Sequence, residues 1–140
     1  MTRAVGVDLG SRRIGIAVSD AAGSLAFPRP FVQRHKDRAL DHQAIAAVVD
    51  EIGARVVVVG LPLSLDGRHG PAADAAAEEA RALGTLLEPR GVRVETLDER
   101  LTTVTAHGAL GAAGTGTRQR RVRVDSAAAA VLLQSWLDAR

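Results

Sequence analysis

The sequence predicts a single α/β domain: a five-stranded mixed sheet in the order 3-2-1-4-5, with helices on both faces. Three observations carry this expectation. Three short strand-like runs follow one another closely at the start of the chain, Val56 to Val59 is a valine run apolar on both faces, and helical periods flank that run. Closely spaced strands pair antiparallel, whereas a strand with no polar face belongs inside a parallel sheet covered by helices.

The elements follow in order. Val5 to Leu9, Ile14 to Ser19 and Leu25 to Val32 read as the first three strands, with Asp20 to Gly23 turning the second into the third. Pro28 and Pro30 confine the third to a sheet edge, because proline donates no ladder hydrogen bond. Asp37 is placed to cap a helix whose inner face is Ile45, Val48, Val49 and Ile52, and Gly53 stops it. The valine strand comes next. After a loop from Gly60 to Gly70, Pro71 opens a second helix that turns Leu83, Leu86 and Leu87 inward. Gly91 leads into a fifth strand, Val92 to Leu97. A short helix through Leu101 to Leu110 and a glycine-rich stretch, Gly111 to Thr117, precede a last helix from Asp125 to Leu137 that buries Ala129, Leu132, Leu133 and Trp136. The first strand is central in this arrangement. Its C-terminal end falls beside the ends of the later parallel strands, where open sheets of this kind bind their ligands.

Composition narrows the function classes. At 140 residues the chain fits one domain, 1–140, with a core of its own. It has no cysteine, which excludes disulfides and thiolate metal sites and makes a reducing cytoplasm the expected compartment. No signal pattern or membrane-length apolar stretch is present, so no membrane role is expected. The formal charge is only +2, yet Lys36 is the sole lysine among 18 basic residues. Arginine suits forked recognition of phosphate, although the excess also fits coding bias.

Asp8 stands out chemically. It lies within Val5-Gly6-Val7-Asp8-Leu9-Gly10, a run with no basic residue, and an unpaired charge in a dry strand is costly. One reading is local: an Asx-type turn in which Asp8 bonds the amide of Ser11 or Arg12. Another is ligation. Glu99 falls just past the fifth strand and Asp125 at the start of the last helix, both at the rim where Asp8 ends. Singly, Glu99 suits the first turn of a helix and Asp125 an N-cap. Jointly, the three acids supply the hard oxygen donors that magnesium or manganese prefers. Asp66, before Gly67, reads as a turn residue, and alternation along Val92, Val94 and Thr96 points Asp98 away from Glu99.

Four blocks carry a family resemblance: Val5 to Asp20, Val58 to Gly67, Asp98 to Thr103 and Val124 to Ala128. In this order they resemble the signature blocks of the YqgF/RuvX family, essentially from end to end. The resemblance implies an RNase H-like fold related to the RuvC Holliday-junction resolvases, and a nuclease acting on the 5′ end of pre-16S rRNA. It also implies Asp8, Glu99 and Asp125 as catalytic acids holding Mg2+ or Mn2+, with two ions expected. Two departures stand: Ser64-Leu65 replaces the Asn-Met often seen in relatives, and the fourth strand carries no acid before Asp66.

Arg118, Arg120, Arg121 and Arg123 crowd into six residues just before Asp125, and Arg12 and Arg13 follow Asp8. A charge run is ordinarily a solvated loop, but this one is tethered to the acids and points to a nucleic-acid phosphate backbone as partner. Arg12 and Arg13 either hold a backbone phosphate or neutralise Asp8 or Asp20. Phe27, Phe31 and Trp136 are the only aromatics, all placed for packing, so base stacking contributes little. His35, His42, His69 and His107 form no ligand-spaced pair. The expected function is therefore a metal-dependent endonuclease for pre-rRNA, with ribosome association expected for that role. The alternative is a resolvase for branched DNA, which needs a homodimer for symmetric cleavage. Two other classes remain. Asp8-Leu9-Gly10 before a hairpin also resembles the phosphate loop of the actin and sugar-kinase superfamily, and a non-catalytic RNA-binding protein would keep the acids for folding alone.

Overall fold

The structure, a computed structural model, describes residues 2–64, 66–101 and 117–140. Five strands form one sheet in the order β3-β2-β1-β4-β5: β1 Ala4–Leu9, β2 Arg13–Ser19, β3 Ala26–Gln33, β4 Val56–Leu61 and β5 Arg93–Asp98. β1 pairs antiparallel with β2 and parallel with β4, and β4 pairs parallel with β5. The expected order and the central place of β1 are thus both present.

Three helices cover the sheet: α1 Arg38–Ile52, α2 Pro71–Leu87 and α3 Thr117–Asp138. Asp37 caps α1 by accepting from the Ala39 N–H at 2.9 Å, and Gly53 ends it in the left-handed region at φ 67°. Proline opens α2, where a missing N–H costs nothing. β3 is an edge strand carrying Pro28 and Pro30, as its sequence requires.

Strand alternation divides the core in two. Val5, Val7, Val57 and Val59 face α1 and α2, packing with Ile45, Val49, Leu83 and Leu87. Ala4, Val56 and Val58 face α3, packing with Ala129, Leu133 and Trp136. Both faces of β1 and β4 are therefore dry, which is why the valine run needs no polar face. Each fully buried leucine on α3, Leu132 and Leu133, contributes about 1.5–3 kcal/mol. Gly6 sets how closely α3 approaches: a Cβ there would lie 2.8 Å from the Leu133 Cβ and 3.0 Å from the Ala129 carbonyl oxygen.

The last helix differs from expectation. It starts at Thr117, eight residues before Asp125, so Asp125 is an interior helix position and not an N-cap. Arginine is a good helix former, and the arginine-rich segment needs no apolar period of its own once the following turns are anchored on the sheet. The short helix expected over Leu101 to Leu110 lies, beyond Leu101, outside the described residues, as does the glycine-rich stretch up to Thr117. No helix among the described residues is long and apolar enough to cross a membrane.

Candidate active site

The parity that builds the α3-side core also builds the site. On that face β1 presents Ala4 and Gly6, so Asp8 is the next residue on it. β4 presents Val56 and Val58, and Gly60 is next; on β5 Glu95 and Leu97 face α3, with Glu99 following. The ladder pairs Gly6 with Val58 and Gly60 with Leu97, so the three successive positions align at the C-terminal rim. Asp8 and Glu99 lie on either side of Gly60, whose missing side chain leaves the space Glu99 occupies. A Cβ at Gly60 would come within 2.5 Å of Glu99 Oε1.

The two half-buried carboxyl groups meet in a hydrogen bond across that gap. Burial raises the Glu99 carboxyl most, the Asp8 hydrogen bond and charge add to it, and the group reaches about 8. One of the pair therefore keeps a proton near neutrality, or both ionise beside a cation. Such a donor set fits a hard divalent ion held by oxygen ligands. Among the described residues no three acidic, histidine or cysteine side chains form a metal-binding group. The described part of the candidate site is the Asp8–Glu99 pair.

The raised Glu99 has a consequence for metal-free stability. In the unfolded chain the group titrates near 4.5, so between 4.5 and about 8 the folded protein holds a proton that the unfolded chain has released. Stability is then fully present at the acid end of this window and falls as pH rises through it. Urea midpoints measured with chelator present should drop from about pH 5 to about pH 8. Glu99→Gln should lose most of that slope, and equal slopes in both proteins would contradict the assignment.

The main-chain turn after Asp8 is tight. Gly10 N–H donates to the Asp8 carbonyl oxygen at 3.1 Å, and Gly10, Ser11, Arg12 and Arg13 line an open cleft of about 320 Å³. Both arginines are exposed, and the Arg13 guanidinium lies over the Phe31 ring at 4.7 Å. Trp136 is packed against the sheet with its N–H on Glu95, whereas Phe27 is exposed on the edge strand.

The other acids have separate employment. Asp66 is a turn residue before Gly67 (φ 85°), bonded by the Ser64 hydroxyl and, at 2.6 Å, by Arg68 Nε. Asp98 ends β5 and accepts from Arg100 Nε at 2.8 Å, which holds its carboxyl below the usual range. The side chains of Asp125, Arg118, Arg120, Arg121 and Arg123 lie outside the described residues. Their backbone positions are on α3. The Asp125 backbone precedes that of Ala129 by four residues, about one helical turn. α3 runs antiparallel to β1: Gln134 accepts from the Ala26 N–H at the level of Ala4, Leu133 and Ala129 lie over Gly6, and Ser126 donates to the Arg29 carbonyl oxygen at the level of Val7. One further turn of about 5.4 Å matches the two-residue step of about 6.6 Å from Gly6 to Asp8.

Sequence reasoning missed two features here. Gly60 was expected to begin a loop, whereas β4 continues through Leu61. Arg34 was not expected to matter, yet it bonds the Gly10 carbonyl oxygen at 2.9 Å. Parity from Val56 and Val58 marks Gly60 as a rim position; nothing in the linear pattern marks Arg34.

Comparison with known proteins gives consistent results. The RuvX family, described as Holliday junction resolvase, matches residues 2–139. A Rhodococcus opacus protein named "Putative pre-16S rRNA nuclease" is 48% identical over 99% of this chain and 78% of its own length. A Mycobacterium sp. (strain KMS) protein of the same name is 45% identical, over 99% and 80%. Among solved structures, Thermus thermophilus RuvC in complex with a Holliday junction substrate superposes with a TM-score of 0.59 at 16% identity, covering 99% of this chain and 95% of that one. The Fowlpox virus resolvase in complex with Holliday junction DNA gives 0.61 at 11% identity, covering 98% and 97%. These neighbours share the RNase H-like fold, as the sequence led us to expect.

Proposed function

The chain belongs to the RuvX family, and from that premise we propose that it is a divalent-metal-dependent endonuclease acting on structured nucleic acid, with the leader of pre-16S rRNA as its substrate. The observation that carries the reading is the meeting of Asp8 and Glu99 across Gly60 at the C-terminal rim of the parallel strands. Asp8, Glu99 and Asp125 are the proposed ligands and catalytic acids. The backbone supports the third member, because α3 packed over Gly6 reaches the level of Asp8 one turn earlier, at Asp125.

Mg2+ or Mn2+ held there, in one or two ions, would activate water and neutralise charge on the leaving oxygen. The chain's own groups do the rest. Asp8 and Glu99, once their shared proton has passed to solvent, both turn carboxylate oxygens to the same space and would hold the ion there. Arg12 and Arg13 in the cleft beside Asp8 hold a backbone phosphate by charge. Arg118, Arg120, Arg121 and Arg123 lie in the two turns before Asp125, on the helix that carries the third acid, and are the proposed further phosphate contacts. This role belongs in the cytoplasm, alongside ribosome assembly.

The family description keeps four-way DNA junctions as the competing substrate, and symmetric junction cleavage needs two copies of the chain. Purified protein with Mn2+ should be offered a pre-16S leader RNA and a four-way junction in parallel, with its solution mass measured. Cleavage of the RNA by a monomer is the expected result. Junction cleavage by a dimer would move the substrate to DNA, and no cleavage of either would end the nuclease reading.

A further inference from the structure

Arg34 follows β3 directly, and its guanidinium is only 9% exposed. It holds three parts of the fold at once. Nε donates to the Gly10 carbonyl oxygen at 2.9 Å, Nη1 to Asp41 Oδ2 at 3.1 Å and Glu79 Oε1 at 2.8 Å, and Nη2 to Glu79 Oε2 at 2.8 Å. Its main-chain N–H donates to the Arg12 carbonyl oxygen at 2.9 Å, and Gln33 Nε2 reaches the same oxygen at 3.3 Å. The carbonyls of Gly10 and Arg12 in the β1–β2 turn are thus both held from the end of β3.

The two carboxylates that grip Arg34 are themselves fixed. Asp41, fully buried on α1, accepts from the His35 main-chain N–H at 2.9 Å and pairs with its ring Nδ1 at 2.7 Å. Glu79 on α2 pairs with His42 Nε2 at 2.9 Å. Burial works against both charges, but the hydrogen bonds from His35, Arg34 and His42 outweigh it and both carboxyls stay below their usual values. The guanidinium therefore cannot swing, and Nε stays aimed at Gly10. The turn has little slack either, since a Cβ at Gly10 would stand 2.5 Å from the Arg13 carbonyl oxygen.

Resting on the nuclease reading, we propose that Arg34 is a positioning residue: through Gly10 and Arg12 it fixes the turn that orients Asp8. Stability alone would not demand this arrangement, because buried ion networks are often replaced by apolar groups without loss. A planar fork is needed to reach Gly10 with one edge while the other engages Glu79.

Arg34→Lys keeps the charge but cannot make both contacts, and Arg34→Met combined with Asp41→Asn and Glu79→Gln supplies a second variant that leaves no buried charge unpaired should the lysine distort the core. Turnover at saturating substrate should fall about tenfold or more with KM within about threefold, because the loss is one of alignment. Amide exchange at Ser11 to Arg13 should speed up about tenfold or more in a variant whose urea midpoint still shows a folded protein. Wild-type exchange at the turn in both variants would overturn the proposal, whatever the turnover. Should the wild-type protein cleave nothing, the nuclease reading falls separately and the exchange measurement still decides whether Arg34 holds the turn.

Discussion

Asp8→Asn folds like the parent and loses cleavage by about 10³-fold or more, well beyond the 10–100-fold that removal of a supporting partner costs. Asparagine matches aspartate in shape, so β1 keeps its pairing with β2 and β4 and the α3 side of the sheet keeps its packing. What changes is charge. One of two carboxyl groups that meet at the rim becomes an amide, and the remaining acid no longer shares a proton with it. Glu99 should then titrate lower, since the hydrogen bond and charge of Asp8 are among the causes that raise it, while burial, the largest, persists. The metal-free variant should consequently be at least as stable as the parent at neutral pH. Nucleic-acid affinity and its dependence on salt should hardly move, because the arginines that carry them are untouched. Titration of cleavage against Mn2+ checks the result, with urea unfolding and binding measured beside it. Parental cleavage by Asp8→Asn would remove the acid from the reaction.

The sheet could be read from the sequence because its signals are local. A valine run with no polar face, a capping Asp37, and glycines at 53 and 91 that adopt positive φ each act within a few residues. The order 3-2-1-4-5 then follows from hairpin pairing at one end and helix crossovers at the other. Asp98, which alternation sets apart from Glu99, is engaged by Arg100, though its charge still adds to the rise of Glu99. The start of α3 was hidden because Arg118 to Val124 carry helix propensity without an apolar period, and Asp125 offered a plausible cap in its place. The Arg34 network was hidden for a different reason. Its main partner, Glu79, lies 45 residues away, and no periodicity ties the two together. One clue was present: Asp41 and His42 precede Ile45 by four and three residues, on the face of α1 that packs inward. Acidic and imidazole groups at such positions must find partners on other elements.

Gly60→Ala separates the site from the fold, because the one group in its way is the end of a side chain. The new Cβ would stand 2.5 Å from Glu99 Oε1, 2.8 Å from its Cγ and 3.0 Å from its Cδ. No main-chain atom is among these close neighbours, so Glu99 yields by rotating and β4 stays paired with β5 from Val56 to Leu61. The stability change should be within about 1 kcal/mol, since alanine in a strand recovers some of the backbone entropy that glycine loses. Cleavage should nevertheless fall about 10²-fold, as a displacement near 1 Å at a reacting centre can do. The same rotation pulls Glu99 away from Asp8, so the metal-free protein should also lose part of its decline in stability toward pH 8. Activity and pH slope would thus fail together while the urea midpoint near pH 5 holds. Were cleavage to survive in Gly60→Ala, the close fit of Glu99 over β4 would have no part in the chemistry, and Asp8 would need a different partner.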